Sequence, residues 1–290
     1  MSHIIVLGDI NLDVLANLPS LLPPDGEVRT DVRVEPGGSA ASFARTAAGL
    51  GATVEFIGCV GDDIAGDILI KSLVHAGVIP HLQCGATASG TIVSLQSSNG
   101  KTMLCSRGAN DMIDPSLIDK EWFNAVDHLH ISGYAFLSEA QRAAANRAIE
   151  MAQSHGMSIS IDPPPANLIS SFGIEQFLNA ISAGRIVLPN LEEGKLMTGE
   201  ERPERIVDLL TTRFPIGALT MGRNGSIAWD GQKLSVRRAE MIDGVDPTGA
   251  GDSFAAGFII SYLEDGNVGR ANRDGAAAAN RHLLQRSRSA

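Results

Sequence analysis

An acidic residue stands directly after a glycine-rich turn in this sequence. Asp252 follows Gly249, Ala250 and Gly251 at the start of residues 249–264, which have the composition of a helix. A helix that begins there directs its unpaired backbone N–H groups and the positive end of its dipole at the turn, and glycines let an anion approach the backbone closely. The stretch therefore predicts a phosphate or oxyanion site.

The carboxylate of Asp252 indicates what kind of anion site this is. A carboxylate repels a phosphate that is merely bound, so it is out of place in a simple binding site. It is useful if it takes a proton from a hydroxyl group that then attacks phosphorus. Asp252 is therefore predicted to be the general base of a phosphoryl transfer. The local alternative is that it only caps the helix.

Two further segments carry polar groups suited to a nucleotide. Asn190 ends a strand-like run and Glu193 follows three residues later. An amide and a carboxylate so placed can hold Mg²⁺ through water and touch phosphate oxygens. Thr220 and Gly222 end the next run, and Gly225 closes a tight turn that can approach phosphate. Together they predict a phosphate and metal site near the glycine-rich turn.

The elements that must position these groups alternate along the chain. Strand-like runs at residues 3–8, 53–58, 127–133, 157–162, 185–190 and 217–222 are separated by helix-like segments at residues 39–49, 63–76, 138–155, 203–213, 249–264 and 268–285. This alternation predicts an α/β fold in three layers, with a mostly parallel sheet and helices on both faces. The polar segments follow predicted strands, where open α/β sheets bind ligands. The segment "GDINLD" after the first run adds Asn11 and Asp13, which are suited to bind sugar hydroxyls.

Two segments interrupt the alternation and predict a small antiparallel β lid on the edge of the main sheet. Residues 26–34 alternate apolar and charged side chains, as a half-exposed strand does. Residues 90–106 read as an antiparallel hairpin that turns at Asn99-Gly100. With no long linker or repeat, residues 1–290 are expected to form a single domain whose lid comprises approximately residues 22–36 and 90–106.

The composition excludes several classes of protein. The formal net charge is −10 and the 23 Lys and Arg residues are scattered, which excludes an extended nucleic-acid surface. No run approaches the ~20 apolar residues of a membrane span, and no secretion signal is visible, so a cytoplasmic protein is expected. The motifs of P-loop and dinucleotide-binding proteins are absent.

Other chemically capable residues have structural interpretations. Three widely spaced cysteines indicate buried free thiols. His128 and His130 share a strand face without further metal ligands nearby, which favours a structural role. Ser39 in "GGSAAS" only partly matches a nucleophile elbow, because Ala41 takes the place of a glycine and no strand directly precedes it.

The chain as a whole resembles the ribokinase-like (PfkB) carbohydrate kinases. The resemblance spans almost the whole length, and the last of its motifs is the most specific. It rests on "GDINLD" at 8–13, "GGSAASFARTAAGLG" at 37–51, "GCVGDDIAGD" at 58–67, "RGAN" at 107–110, "NLEE" at 190–193, "TMGRNG" at 220–225 and "DPTGAGDSFAAGF" at 246–258. It implies a ribokinase-like fold and a kinase that uses ATP and Mg²⁺.

The resemblance also implies a role for each motif. Asp252 would be the general base, and the backbone of residues 249–252 would form the anion hole for the transferring phosphoryl group. Acceptor contacts are implied for Asn11, Asp13, Gly37, Gly38, Ser42 and Asn110, and nucleotide contacts for Asn190, Thr220, Gly222, Gly225 and Asn280. Glu193 would hold Mg²⁺, and a potassium ion beside the anion hole would contact Asp246 and Thr248.

The identity of the acceptor is left open by the sequence. Ser42 stands where the family usually carries Asn, so the acceptor of the relatives does not transfer. A hydroxymethyl group of a small sugar or sugar acid is the first expectation, because the lid contains no aromatic residue to stack on a base. Arg29 and Arg33 share a predicted strand face and would clamp a carboxylate or hydroxyls, or only solvate the lid. The alternatives are a nucleoside kinase, with Tyr134, Phe43 or Phe136 against the base, and a catalytically silent sugar sensor. A homodimer through the lid is also expected.

Overall fold

The fold is taken from a computed structural model that describes residues 2–18, 25–97, 100–231, 233–240, 242 and 246–289. Its strands are β1 (His3–Leu7), β2 (Asn11–Asn17), β3 (Val32–Gly37), β4 (Thr53–Gly61), β5 (Ile79–Gly85), β6 (Gly90–Ser97), β7 (Gly100–Ser106), β8 (His128–Ser132), β9 (Ser158–Asp162), β10 (Ile186–Val187), β11 (Ile216–Thr220), β12 (Ser226–Asp230) and β13 (Lys233–Arg237). Its α-helices are α1 (Ser39–Gly49), α2 (Ile64–His75), α3 (Glu139–Ser154), α4 (Ala166–Phe172), α5 (Ile174–Ala180), α6 (Leu191–Thr198), α7 (Pro203–Arg213), α8 (Ala250–Asp265) and α9 (Val268–Ser289).

The central sheet is mostly parallel, as the alternation of strands and helices predicts. Within the described residues its strand order is β13-β12-β11-β10-β9-β8-β1-β4-β5. Of these described strands, only β12 and the edge strand β13 form antiparallel pairs, β12 with β11 and β13 with β12. Strands β5, β12 and β13 were not predicted. Strands β5 and β13 are exposed or half-buried and mix polar with apolar residues, and β12 is buried but has an apolar run of only Ile227–Trp229.

Apolar side chains fill both faces of this sheet. Along β1, Ile5 and Leu7 point to one core and Ile4 and Val6 to the other, as the two-residue period of a strand requires. Helices α3 to α7 supply buried side chains to the first core, and α1, α2, α8 and α9 to the second. Each fully buried aliphatic side chain contributes roughly 1.5–3 kcal/mol, so the two cores hold the carboxyl ends of the strands in fixed positions.

The lid is a four-stranded sheet of order β3-β2-β6-β7, and it corrects two expectations. It is mixed rather than antiparallel, because β2 and β6 pair in parallel. It also includes β2, so Asn11 and Asp13 begin a lid strand instead of ending the first strand of the main sheet. The β3 strand starts only at Val32, later than the alternating pattern suggests. Residues 22–24 of the expected lid and Asn99 of the expected turn lie outside the described residues.

Candidate active site

Helix α8 begins at the glycine-rich turn and forms the floor of the site. Gly249 caps the helix in the left-handed region at φ 84°, and a Cβ there would lie 2.9 Å from His282 Nε2. The backbone N–H of Ala250 donates to Pro247 O at 3.0 Å, which removes it from the predicted anion hole. The N–H groups of Gly251 and Asp252 have no acceptor among the described residues and are left for an anion.

Asp252 lies on the first turn of α8, where its carboxylate is partly buried among polar groups. Ser39 Oγ donates to Asp252 Oδ1 at 2.8 Å. Burial raises the pKa of Asp252 to about 6; the Ser39 hydrogen bond and the Arg45 charge oppose this rise, and the charge of Asp13 adds to it. A carboxyl group with that pKa is ionised at neutral pH and still basic enough to accept a proton, which suits a general base.

A cavity of about 610 Å³ lies between the lid and the carboxyl ends of the main strands. Asn11, Asp13, Gly37, Gly38 and Ser42 all line it, as predicted for acceptor contacts. A Cβ at Gly37 would collide with the Asp13 carboxylate, so this position keeps room for that side chain.

Asn110 lies behind the cavity, contrary to its predicted role as an acceptor contact. Its side chain is fully buried; it donates to Asn11 Oδ1 at 2.8 Å and to Arg107 O at 3.0 Å, and it accepts from the Ile10 N–H at 3.0 Å. Because these hydrogen bonds all join Asn110 to other protein groups, Asn110 positions Asn11.

Two buried polar atoms beside the cavity have no partner in the described part of the chain. They are Asp13 Oδ1 and Arg45 Nη1. Arg45 Nη2 is held by Pro36 O at 3.0 Å and by Ser42 Oγ at 3.1 Å, so the guanidinium is fixed with one end unused. Burial and the charge of Glu35 raise the pKa of Asp13 to about 6. An unpaired buried donor and acceptor are costly, and a ligand group that meets both relieves the cost.

A second cavity of about 540 Å³ adjoins the first and contains the predicted nucleotide residues. Asn190, Thr220, Gly222, Gly225 and Asn280 all line it. The two cavities share Asn190, Thr220, Gly251 and Phe254, so a ligand in one can meet a ligand in the other beside the anion hole. Asn280 Nδ2 donates to Glu240 Oε2 at 3.0 Å, which leaves its carbonyl oxygen for a ligand.

Glu193 is held at the start of α6 by a reciprocal pair of hydrogen bonds with Asn190. The Asn190 N–H donates to Glu193 Oε2 at 2.8 Å, and the Glu193 N–H donates to Asn190 Oδ1 at 3.0 Å. Burial raises the pKa of Glu193 to about 8. Glu193 and Asp162 both line the first cavity, on the side where it meets the second. Burial, with the charges of Asp252 and Glu193, raises the pKa of Asp162 well above its usual value.

These acids fit a magnesium ion held mainly by water and phosphate. In the described chain no group of three or more His, Cys, Asp or Glu side chains is close enough to hold a metal by itself. Mg²⁺ beside a nucleotide takes one or two carboxylates and completes its shell with water and phosphate oxygens. Glu193 and Asp162 provide that number. Burial raises the pKa of both carboxyl groups, and a divalent cation beside them would favour their ionised forms.

The remaining sequence predictions have mixed outcomes. The exposed Arg29 pairs with Glu27 at 3.2 Å, and neither Arg29 nor Arg33 lines the cavity, so the predicted clamp is wrong. His130 is buried beside Ser160 Oγ at 2.8 Å, which confirms a structural role.

The buried-thiol expectation holds only for Cys59. Cys84 and Cys105 are exposed, and Cys105 lines the acceptor cavity.

Sequence reasoning missed several residues around the cavity. Arg107 pairs with Asp9 through Nη1–Oδ2 at 2.9 Å and Nη2–Oδ1 at 3.1 Å, and Gln141 donates to Asp9 Oδ1 at 2.6 Å. The role of Ser39 was missed because its partner Asp252 is 213 positions away in sequence. Arg45 was missed because nothing in its neighbourhood of small and apolar residues marks it, although its partners Pro36 and Ser42 are nearby in sequence. The position of Arg107 directly before "GAN" was the one available signal.

The chain matches the family model of pfkB carbohydrate kinases over residues 1–288, so it belongs to that family. It is 30% identical to the ATP-dependent ribose-1-phosphate kinase of Halopiger xanaduensis, over 97% of this chain and 93% of that protein. Its fold is similar to adenosine kinase from Sinorhizobium meliloti, with a TM-score of 0.88, 21% identity, and coverage of 98% and 94%. It is also similar to an Escherichia coli structure assigned to ribokinase II in complex with ATP and Mg²⁺, with a TM-score of 0.87, 21% identity, and coverage of 98% and 93%.

The fold is therefore ribokinase-like, and the chain is an ATP-dependent sugar kinase. No helix in the described residues is both long enough and apolar enough to cross a membrane.

Proposed function

We propose that this kinase transfers the γ-phosphate of ATP to a hydroxymethyl group of a small sugar or sugar acid, with Asp252 as the general base. The observation that carries the proposal is the position of Asp252, which lines the acceptor cavity while its neighbour Gly251 lines both cavities. The acceptor hydroxyl loses its proton to Asp252 and attacks the γ-phosphorus, the bond from that phosphorus to the β–γ bridging oxygen breaks, and ADP leaves. The N–H groups of Gly251 and Asp252 stabilise the charge on the transferring phosphoryl oxygens. We further propose that residues 1–290 act as one kinase domain with its lid.

The nucleotide side follows from the second cavity. ATP lies along Thr220, Gly222 and Gly225 with its adenine end toward Asn280. Mg²⁺, when bound, neutralises charge on the β- and γ-phosphates. Glu193 and Asp162 would hold the water shell of the metal, and Asn190, which fixes the Glu193 carboxylate, would face the phosphates. This arrangement predicts an absolute requirement for a divalent cation.

Hydroxyl recognition on the acceptor side favours a sugar. Asp13 Oδ1 needs a donor and Arg45 Nη1 needs an acceptor, and one hydroxyl group supplies both. Of the aromatic residues considered for a nucleoside, Phe43 is stacked on His130 at 3.6 Å and Phe136 is fully buried. Only Tyr134 of the three lines the cavity and is able to meet a base.

The test is a comparison of kcat/KM across D-ribose, D-fructose, ribose 1-phosphate, 2-keto-3-deoxygluconate, adenosine, cytidine and pseudouridine with Mg-ATP. We expect a sugar or sugar acid to exceed every nucleoside by tenfold or more. A nucleoside that leads by that margin would make the chain a nucleoside kinase. If the chain consumes no ATP with any of these compounds but binds a sugar in a thermal-shift assay, it would be a silent sensor.

We also propose a homodimer through the outer face of the lid. Cross-strand pairing places Val34, Val14, Val93 and Leu104 in one row on that face, and Val34 and Leu104 are 57% exposed each. Exposed apolar rows of this kind mark interaction surfaces. Light scattering after size exclusion should give twice the chain mass, and Val34→Lys should give the monomer. A monomeric wild-type chain would exclude this dimer.

A further inference from the structure

The loop before the anion hole carries Asp246 and Thr248, the two residues expected to contact potassium, and protein cations already surround them. Lys101 Nζ lies 3.6 Å from Asp246 Oδ1 and donates to Thr248 Oγ1. Arg286 Nη2 donates to Asp246 Oδ2 at 3.3 Å. Thr248 in turn donates to Asp246 Oδ1 through Oγ1 at 2.7 Å and through its backbone N–H at 3.1 Å.

These contacts do not fit a bound alkali cation. Such an ion needs several oxygen ligands with free lone pairs, and here both carboxylate oxygens of Asp246 face a positive side chain. A further cation at this point would be repelled by the Lys101 ammonium and the Arg286 guanidinium. The positive charge that the family resemblance assigns to potassium is present as two side chains of this chain.

The two cations belong to different parts of the fold. Lys101 is on β7 of the lid, on the same strand face as Met103 and Cys105, which line the cavity. Arg286 is on α9, and its Nη1 also donates to Glu35 Oε1 of lid strand β3 at 2.9 Å. Asp246 therefore connects the lid to the C-terminal helix directly before the anion hole.

The connection continues from this loop into the anion hole. The carbonyl oxygen of Thr248 lies 2.8 Å from His282 Nε2 on α9. Gly249 comes next and caps α8, whose free N–H groups follow at Gly251 and Asp252. Anything that fixes Thr248 on both its side chain and its carbonyl also fixes the direction of those N–H groups.

We propose that Lys101 and Arg286 replace the monovalent cation in this chain, and that Lys101 couples closure of the lid to assembly of the anion hole. Lys101 is then a positioning residue, acting through Asp246 and Thr248. The inference rests on the proposed function, because the anion hole matters only if phosphoryl transfer occurs there. It predicts a kinase that is indifferent to alkali cations and sensitive to the loss of one lid lysine.

The experiment measures kcat and KM of the wild-type chain in KCl, NaCl, CsCl and tetramethylammonium chloride at equal ionic strength, with the best acceptor of the panel above. We expect rates equal within about twofold. Lys101→Gln should lower kcat about tenfold with a smaller change in the KM for ATP, and its activity should rise at least threefold in KCl over tetramethylammonium chloride. Lys101→Arg should restore kcat without potassium. Lys233→Gln, an exposed strand lysine outside both cavities, is the control.

The outcomes separate this inference from the proposed function. Strong stimulation of the wild-type chain by potassium would overturn the inference and leave the kinase intact, as would a Lys101→Gln variant with normal kcat in every salt. No turnover with any acceptor would instead overturn the proposed function. In that case hydrogen exchange decides: Lys101→Gln should speed exchange of amides in residues 100–106 and 246–252, and unchanged exchange would overturn the coupling.

Discussion

Ser39 Oγ donates a hydrogen bond to Asp252 Oδ1 at 2.8 Å across 213 positions of sequence. The bond joins the first residue of α1 to the first turn of α8, beneath the cavity where lid and sheet meet. A hydroxyl donor stabilises the ionised carboxylate, so it opposes the burial that raises the pKa of Asp252. Ser39 thus acts on the base, and the nucleophile role considered from the sequence has no support.

The first prediction concerns the pH dependence of catalysis. Because the pKa of Asp252 is about 6, the base is protonated and inactive well below pH 6 and ionised above it. The logarithm of kcat/KM, measured at saturating Mg-ATP from pH 5 to 8, should rise with a slope that approaches one below pH 6 and should level off above about pH 7. This rise is the acid limb of the profile. A profile that stays flat down to pH 5 would show that no group with this pKa acts as the base.

The second prediction tests the Ser39 hydrogen bond. Ser39→Ala removes the donor, and a hydrogen bond to a charged group contributes about 1.5 kcal/mol, so the acid limb should move up by roughly one pH unit. The control is Ser42→Ala, which removes a hydroxyl one helical turn after Ser39 that bonds to Arg45 and not to Asp252. The acid limb of this variant should stay where it is in the wild-type chain. An unmoved limb in Ser39→Ala would mean that the bond does not set the basicity of Asp252.

The third prediction removes the base itself. Asp252→Asn keeps the shape of the turn but accepts no proton, so kcat should fall about 10²–10⁴-fold. The Kd for ADP, measured by calorimetry, should stay within about threefold because the backbone N–H groups remain. Asp265→Asn, at the other end of the same helix, should behave as wild type. Near-normal turnover in Asp252→Asn would refute the assignment of the general base.

The layered fold was predictable because its signals are local. The buried strands and the helices between them have distinct periods, and α7 matches its predicted bounds, residues 203–213. The lid was harder. Its strands are partly exposed, and the parallel pairing of β2 with β6 joins segments more than 70 residues apart, which no local pattern encodes. The sequence therefore predicts a lid but not the strands that it contains.

The site divides in the same way. Backbone features such as the Gly249 turn follow from residue types at fixed spacing, so they were found. Contacts such as Ser39–Asp252 and Lys101–Asp246 depend on which elements the fold brings together. Asn110 is an example of the opposite error. Its place in a motif made it a candidate acceptor contact, but in the fold its side chain bonds only to other protein groups.

The fourth prediction concerns Glu193 and stability. Burial raises its pKa from 4.5 to about 8, so the folded chain without ligands binds a proton here that the unfolded chain has released. The resulting stability is complete below pH 4.5 and is lost as the pH rises through about 8. In the absence of ligands, the melting temperature of the wild-type chain should therefore fall between pH 6 and 8.5, and Glu193→Gln should make that fall smaller.

The same variant tests the metal site. It should raise the Mg²⁺ concentration needed for half-maximal activity, with little change in acceptor KM. A selective loss of acceptor binding would instead make Glu193 an acceptor contact in the first cavity, whose wall it lines.

The last prediction tests the unpaired guanidinium nitrogen of Arg45. If an acceptor hydroxyl bridges Arg45 Nη1 and Asp13 Oδ1, the contact already exists in the bound ground state, so Arg45→Met should raise the acceptor KM about 10–100-fold and lower kcat less. The wild-type chain should prefer the best sugar over the monodeoxy analogue that lacks the bridging hydroxyl. In Arg45→Met, the ratio of kcat/KM for these two compounds should fall toward one.

A second readout separates the charge of Arg45 from its hydrogen bonds. The Arg45 charge lowers the pKa of Asp252, so Arg45→Met should also move the acid limb to higher pH. Arg45→Lys keeps the charge without the planar fork; it should restore the limb but leave the KM raised. A variant that loses activity equally toward the parent sugar and all its deoxy analogues, with an unmoved limb, would show that Arg45 only packs against Pro36 and Ser42.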